Sequence, residues 1–176
     1  NHEKYISQAL EGFVMQKVNF SFEIVIHDDA STDNTSKIIK DYVQKHPDLF
    51  RPIYQIENQC SKERGLVSKI AYKAAKGKYF ALCEGDDYWT DPYKLQKQVD
   101  FLECNEEYNV VCTDYSKFFE ETKTLQSNCF PFNKLGNSIS YEKYILDRGA
   151  IATCTTLIRN TYIKEYINKF GHKICQ

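Results

Sequence analysis

Two pairs of adjacent carboxylates stand where the 176-residue chain leaves short apolar segments. One pair is Asp28 and Asp29, and the other is Asp86 and Asp87. Adjacent carboxylates repel each other, and this repulsion is relieved by a divalent cation, by hydrogen-bond donors or by exposure to water. Carboxylates favour Mg²⁺ or Mn²⁺, and a site with one or two of them usually completes its coordination with substrate phosphates and water. The two pairs therefore predict a site for a metal-bound diphosphate, with solvated loop acids as the alternative interpretation.

The second pair belongs to a denser cluster of polar and aromatic residues. Glu84 precedes it, and Gly85 would let the backbone approach a ligand closely. Trp89 follows, and its ring is either a platform for a sugar or base or an anchor in the core. Both readings of Trp89 stay open at this point.

Patterns for other phosphate or metal sites do not occur in the sequence. A calcium-binding loop that starts at Asp29 would need glycine and glutamate where Asn34 and Lys40 stand. There is no glycine-rich phosphate loop and no dinucleotide-binding pattern, and the four histidines lack the spacing of metal ligands. Phosphate binding is therefore expected to depend on a metal ion.

The elements that must position these acids alternate between strands and helices. The predicted strands are residues 22–27, 51–56, 78–83, 109–114 and 151–159. The predicted helices are residues 5–14, 38–43, 66–75, 91–102 and 161–170, with a further helix start at 140–143. This alternation predicts an α/β fold with a mostly parallel sheet flanked by helices, and such sheets bind ligands at the carboxyl ends of their strands. Because a helix in such a fold crosses over from a preceding strand, we expect a strand before Asn1 in the whole protein.

Composition excludes several classes of partner. The chain has 23 Lys and Arg against 24 Asp and Glu, a net charge of -1, so no positive field holds nucleic acid. No apolar run approaches the roughly 20 residues that span a bilayer, and no signal-peptide pattern opens the chain. The seven cysteines contain no C-x-x-C pair and are expected to be reduced structural thiols. The sequence predicts a soluble cytoplasmic protein, and peripheral association of the whole protein with the inner face of the cytoplasmic membrane is compatible with it.

Three segments together resemble family 2 glycosyltransferases of the GT-A fold, of the bacterial type that builds surface polysaccharides. They are FEIVIHDDASTDNT at residues 22–35, AKGKY at 75–79 and EGDDYWTDPYKL at 84–95. The resemblance covers residues 1–102 and, less closely, residues 153–159. It implies one Rossmann-like GT-A domain over residues 1–176, with a nucleotide-binding part at about 1–104 and the start of an acceptor-side part at about 105–176.

The resemblance also implies an activity. Members of this family move a sugar, with inversion, from a nucleotide diphosphate sugar to an acceptor hydroxyl, and they use Mn²⁺ or Mg²⁺. The expected donor is UDP-linked, and the expected acceptor is a saccharide or a lipid-linked sugar in polysaccharide or cell-surface glycan synthesis.

Residue roles follow from the resemblance as expectations. Asp29 matches the aspartate that binds the nucleobase, with Asp28 beside it, and Arg64 stands where some members have a base-contacting arginine. Asp86 matches the acid near the ribose or sugar, and Asp87 matches the metal ligand of the D-x-D type motif.

Two further residues are candidate substrate contacts. Glu84 occupies the first position of the D-x-D type motif, where aspartate is commoner, and Trp89 follows the acid cluster, five positions after Glu84.

Two parts of the family pattern are expected outside the 176 residues. Members usually begin with a strand that ends in Thr/Ser-Tyr-Asn, of which Asn1 would be the last residue. The catalytic base usually follows the segment matched by residues 153–159, and it is expected beyond Gln176. A non-catalytic module that binds a sugar nucleotide and metal is the alternative function. A nucleotidyltransferase is a weaker one, because the sequence lacks a basic, glycine-rich phosphate loop.

Overall fold

The structure is a computed structural model that describes residues 1–63, 65–130 and 151–170, with only the backbone described for 166–170. Its helices are α1 Ile6–Val14, α2 Thr35–Lys45, α3 Leu66–Ala74, α4 Lys94–Cys104 and α5 Asn160–Phe170. Its strands are β1 Ile24–Asp28, β2 Phe50–Tyr54, β3 Tyr79–Ala81, β4 Val110–Cys112, β5 Lys117–Phe119, β6 Thr124–Gln126 and β7 Thr156–Arg159. The predicted α/β alternation is confirmed, and the helix start predicted at 140–143 lies outside the described residues.

The first sheet consists of β1 and β2, which run parallel. Ile24 lies opposite Phe50 and Asp28 opposite Tyr54. Helix α2 connects the two strands, as a parallel pair requires. Pro52 has no N–H to donate, and β2 tolerates it because β1 is the only described strand with which β2 pairs.

The second sheet has the order β3-β7-β4, and β7 runs antiparallel to both neighbours. Strands β3 and β4 therefore point the same way on either side of β7. The sequence predicted one strand over residues 151–159, but a short 3-10 helix, Thr153–Thr155, takes its first half. Threonine hydroxyls stabilise this turn by donating to the carbonyls of Ala152 and Thr153 at 2.7 and 2.8 Å. Hydrophobic periodicity predicts a strand but not its direction, which is why β7 was expected only as a strand.

Two smaller differences from the predicted elements have local causes. Helix α4 begins at Lys94 rather than 91, because Asp91 forms a turn before it: the Asp91 carboxylate accepts from the Tyr93 amide at 2.9 Å and from the Lys97 ammonium at 2.7 Å. Strands β5 and β6 form a hairpin that the sequence did not predict, and their residues are exposed.

Two hydrophobic clusters hold these layers together. The first joins α1, β1, α2 and β2, and the second joins α4 and β7 to the segment that precedes α4. Their buried members are Ile6, Ala9, Leu10, Ile24, Ile39 and Phe50 in the first, and Trp89, Leu95, Leu102 and Leu157 in the second.

Helix α1 is fixed against the segment that leads into α4. A side chain at Gly12 would lie 2.9 Å from the backbone of Trp89, so only glycine permits this approach. Buried Gln16 donates to the Asp91 carbonyl at 2.9 Å and accepts from the Leu95 amide at 3.1 Å. None of the helices in the described part of the chain has both the length and the apolar character needed to span a bilayer.

Candidate functional site

The first acid pair lies at the carboxyl end of β1. Asp28 is buried, and its carboxylate accepts a hydrogen bond from the Ser31 amide at 3.3 Å. Its carbonyl accepts from the Gln55 amide at 2.9 Å, which ties the end of β1 to the end of β2. Ala30 has a φ of 59°, in the left-handed region, so the chain turns sharply directly after the pair. Asp28 therefore holds the turn that presents Asp29.

Asp29 is half-buried, and its carboxylate binds the loop that follows β2. One oxygen accepts from the Gln59 amide at 2.7 Å and the other from the Cys60 amide at 2.9 Å. A carboxylate has about four acceptor positions, so this cap leaves Asp29 capacity for a further donor. Arg64, the predicted base-contacting residue on the same loop, lies outside the described residues.

His27 precedes the pair and is partly buried beside it. Burial lowers the pKa of His27 below its usual value, although the charges of Asp29 and Asp28 oppose the shift. The side-chain amide of Gln55 lies 3.1 Å from His27 Nε2, at hydrogen-bond distance. An uncharged His27 can accept that bond, so we place it as a support of β1.

The N-terminal residues bind the loop between β1 and α2. Asn1 Oδ1 accepts from the Thr32 amide at 2.7 Å, and the His2 amide donates to Thr35 Oγ1 at 2.7 Å. Glu3 Oε2 accepts from the Asn34 amide at 3.0 Å. These contacts bring the start of the chain to the same end of β1 as the first acid pair.

The second acid cluster follows β3 in a turn, in which the Asp87 amide donates to the Glu84 carbonyl at 3.3 Å. Asp86 is exposed, and its carboxylate lies 3.8 Å from Nδ1 of His2. Glu84 is exposed as a residue, but partial desolvation of its carboxylate raises its pKa; repulsion from Asp87 and Asp86 acts in the same direction, while hydrogen bonds from its own amide and from Thr153 oppose it. The backbone at Gly85 lies close to the His2 ring: a side chain at this position would come within 3.4 Å of it.

Buried and partly buried side chains pack against or near this second turn. The Cys154 thiol contacts the Asp87 carboxylate, and burial raises the pKa of Cys154 to about 12. Lys94 Nζ lies 4.3 Å from the centre of the Trp89 ring and donates to Gln98 Oε1 at 2.7 Å. Burial lowers the pKa of Lys94 to about 8.

Trp89 is largely buried, which favours the core-anchor reading of its ring over the reading as a substrate contact. Only 8% of Trp89 is exposed. Its ring packs edge-on against Phe13 with 4.8 Å between centroids, Lys94 covers it, and its indole N–H donates to the Cys154 carbonyl at 2.8 Å. These contacts anchor the ring in the core, although Trp89 still forms part of the lining of the cleft.

The structure brings most of the predicted site residues to one place. Asp28, Asp29, Glu84 and Asp86 all line one cleft, and the first two residues of the chain contact both loops, Asn1 at Thr32 and His2 at Asp86. Asp87 lies on the same turn as Glu84 and Asp86. Within the described ranges no group of three or more His, Cys, Asp or Glu side chains is arranged to hold a metal. A cation with one or two carboxylate ligands and substrate phosphates fits this donor set, because Mg²⁺ and Mn²⁺ prefer hard oxygens and do not require an all-protein cage.

Sequence reasoning missed several residues that shape this site. They are His2, which lacks the spacing of a metal ligand, and Lys94 and Cys154, which no motif marks. No spacing signal links His2 to Asp86, because the two are 84 positions apart.

Comparison with known proteins gives a consistent picture. The family model for glycosyl transferase family 2 matches residues 1–167. An uncharacterised protein of Mycobacterium tuberculosis is 49% identical over 110 residues, which are 62% of this chain and 31% of that protein. The Escherichia coli UDP-Glc:alpha-D-GlcNAc-diphosphoundecaprenol beta-1,3-glucosyltransferase WfaP is 30% identical over 153 residues, 85% of this chain and 55% of WfaP.

A solved structure shares the fold. The mannosyltransferase PcManGT from Pyrobaculum calidifontis, in complex with GDP-Man and Mn²⁺, superposes with a TM-score of 0.64 at 17% identity, over 98% of this chain and 44% of PcManGT. The chain thus spans between about a third and a little over half of these longer proteins.

Proposed function

Because the chain belongs to glycosyl transferase family 2 and has its GT-A fold, we propose that it forms the donor-binding part of an inverting glycosyltransferase. The enzyme moves a sugar from a nucleotide diphosphate sugar to an acceptor hydroxyl in polysaccharide or cell-surface glycan synthesis. Residues 1–104 bind the nucleotide, and the acceptor side begins at about residue 105.

The observation that carries this proposal is the meeting of the two acid loops. Asp28 and Asp29 at the end of β1 and Glu84 and Asp86 after β3 line the same cleft, and Asn1 and His2 contact both loops. Ligands of open α/β sheets bind at this end of the strands. A nucleotide diphosphate has a base and a diphosphate that require separate recognition, and two loops at one sheet edge supply two recognition points.

Each loop has the chemistry for one part of the donor. Asp29 is held by two backbone amides and can accept from a base N–H, while Asp28 keeps the turn in place. Asp86 is exposed toward the ribose or sugar, and Asp87, with Glu84 beside it, offers the carboxylate oxygens for Mn²⁺ or Mg²⁺. When bound, the cation would neutralise the negative charge that develops on the departing diphosphate.

The relatives support the choice of substrates. WfaP is named for UDP-glucose as donor and for a diphosphoundecaprenol-linked sugar as acceptor, and PcManGT was solved with GDP-Man and Mn²⁺. We accordingly propose a UDP-linked donor and a saccharide or lipid-linked acceptor, met in the cytoplasm at the inner face of the membrane. The carboxylate that deprotonates the acceptor hydroxyl is placed by this proposal beyond Gln176.

Calorimetric titration of the chain with UDP tests the donor site. Binding is expected with Mn²⁺ present and is expected to be lost when a chelator removes the metal. The same titration with ADP reports how far the base contributes, because the two nucleotides share the diphosphate. A folded chain that binds UDP equally well with and without metal, or that binds neither nucleotide, would contradict the proposal.

A further inference from the structure

The 3-10 turn Thr153–Thr155 lies against the second acid loop and contacts two of its acids. The Thr153 hydroxyl donates a hydrogen bond to the Glu84 carboxylate, and the Cys154 thiol donates one to the Asp87 carboxylate. A 3-10 helix has three residues per turn, so consecutive side chains leave its axis about 120° apart. Two neighbouring residues of one turn can therefore reach the acids at both ends of the loop.

Asp87 is held at three of its polar groups. Its amide donates to the Glu84 carbonyl at 3.3 Å, its carbonyl accepts from the Cys83 thiol at 3.6 Å, and its carboxylate accepts from the Cys154 thiol. Burial raises the pKa of both thiols, so each keeps its proton near neutral pH and acts as a donor. Two thiols from different parts of the second sheet thus meet at one candidate metal ligand.

The turn that carries Thr153 and Cys154 is itself fixed to the core. Its four consecutive carbonyls, at residues 152–155, each accept a hydrogen bond. The first two accept from threonine hydroxyls at 2.7 and 2.8 Å. The third accepts from the Trp89 indole N–H and the fourth from the side-chain amide of Gln98, both at 2.8 Å. Trp89 and Gln98 are buried, so the turn is a rigid base for the two donors.

The middle acid of the loop lies in a different environment. Asp86 is exposed, and its carboxylate lies 3.8 Å from His2 Nδ1. The donors of the 3-10 turn bind Glu84 and Asp87 instead, one donor to each carboxylate. A carboxylate has two oxygens and about four acceptor positions, so one donor limits its rotation and leaves oxygen lone pairs for a cation.

We propose that Thr153 and Cys154 are positioning residues that orient the Glu84 and Asp87 carboxylates toward a divalent cation. This inference rests on the function proposed above, in which these carboxylates offer oxygens to Mn²⁺ or Mg²⁺. Hydrogen bonds to a ligating carboxylate fix its orientation, and losing such a partner typically weakens metal affinity by about 10- to 100-fold. Strand β7 and the turn before it thereby contribute to the donor site without contacting the donor.

Calorimetric titration of the full chain with UDP at a series of Mn²⁺ concentrations tests this inference. The quantity compared is the Mn²⁺ concentration that gives half-maximal UDP binding. Cys154→Ala and Thr153→Val remove the two donors, and each should raise this concentration about tenfold. Cys154→Ser and Thr153→Ser keep a hydroxyl donor and should restore most of the native value.

Matched controls remove the same chemical groups elsewhere in the chain. Cys112→Ala deletes a partly buried thiol on β4, and Thr124→Val deletes an exposed hydroxyl on β6. Both should leave the Mn²⁺ requirement at the native value. Urea unfolding of every variant reports stability separately, because a merely structural contact would change the free energy of unfolding and not the Mn²⁺ requirement.

Three results would overturn the inference. A native Mn²⁺ requirement in Cys154→Ala and Thr153→Val would show that the turn does not orient the acids, and the proposed function would stand. An equal increase in the serine variants would show that the packing of the turn matters and the donors do not. A native chain without metal-dependent UDP binding would remove the proposed function and this inference with it. Thr153→Val, at an exposed position, decides the test if Cys154→Ala does not fold.

Discussion

The two acid loops are held in opposite ways. The loop after β1 is bound through its own polar atoms: Asp28 and Asp29 accept backbone amides, and Asn1 accepts from Thr32. The turn after β3 is held instead through side chains: the Cys154 thiol contacts the Asp87 carboxylate, and Trp89, covered by Lys94, donates to the Cys154 carbonyl. The first loop uses part of its carboxylate capacity for structure, whereas the second keeps its carboxylates toward solvent and side chains. This difference suits a first loop that reads a base by oriented hydrogen bonds and a second that supplies charge to a cation.

The sharpest test of the comparison removes the support beneath the second loop. Trp89→Ala should lower the free energy of unfolding by about 3–5 kcal/mol, because it deletes a large buried ring and the cation–π contact of Lys94 with it. Trp89→Phe keeps a ring against Phe13 and loses the bond to the Cys154 carbonyl, so it should cost only about 1–2 kcal/mol. Urea unfolding followed by circular dichroism measures both losses. Tryptophan fluorescence cannot be used, because Trp89 is the single tryptophan and both variants lack it. Equal, small losses would return Trp89 to the role of a surface platform.

The second prediction tests the charge of Asp87 on the same loop without changing the side chains that stabilise the loop. Asp87→Asn should weaken metal-dependent UDP binding by more than about 100-fold, because an uncharged amide is a much poorer ligand for a hard cation. Its unfolding free energy should stay near that of the native chain. Asp41→Asn, on the exposed side of α2, is the matched control and should bind UDP normally. Calorimetry with Mn²⁺ decides the matter, and undiminished binding by Asp87→Asn would remove Asp87 from the metal site.

The elements were predictable because their signals are local. Residues 66–75 were predicted as a helix and form Leu66–Ala74, and the strand predicted at 22–27 forms Ile24–Asp28. Some element ends differ from the predicted ones by a few residues because of local side-chain hydrogen bonds, such as that of Asp91 with the Tyr93 amide before α4.

The site was predictable only in part, because its contacts join distant positions. Asp29 binds the amides of Gln59 and Cys60, about 30 residues away, and Trp89 binds the carbonyl of Cys154, 65 residues away. No periodicity in the sequence encodes such pairings. The residue types at the two strand ends indicated where chemistry would occur, and the fold decided that Trp89 is covered while Asp86 is exposed.

The third prediction concerns the first loop, where structure and recognition share one residue. Asp29→Ala should weaken UDP binding by about tenfold and also lower the unfolding free energy by about 1–3 kcal/mol, because two backbone amides lose their acceptor. Asp29→Asn retains one acceptor oxygen and should recover part of the stability. If Asp29→Ala unfolds the chain outright while Asp29→Asn binds UDP normally, Asp29 is structural and the nucleobase contact must be sought elsewhere.

The smallest expected effect is a pH dependence of the unfolding free energy that arises from Lys94, the buried lysine near the second loop. Burial lowers the pKa of Lys94 from 10.5 to about 8, so between these values the unfolded chain holds a proton that the folded chain has released. Stability rises with pH wherever the unfolded state binds more protons, so the burial of Lys94 costs less as pH rises. From pH 8 to pH 9 the unfolding free energy of the native chain should rise by about 1 kcal/mol relative to Lys94→Met. Lys97→Met, at an exposed lysine on the same helix, should show no such relative change. If the unfolding free energies of the native chain and of Lys94→Met change equally from pH 8 to pH 9, the Lys94 amine stays charged over this range. The side chains that support the second loop would then include a buried ammonium ion.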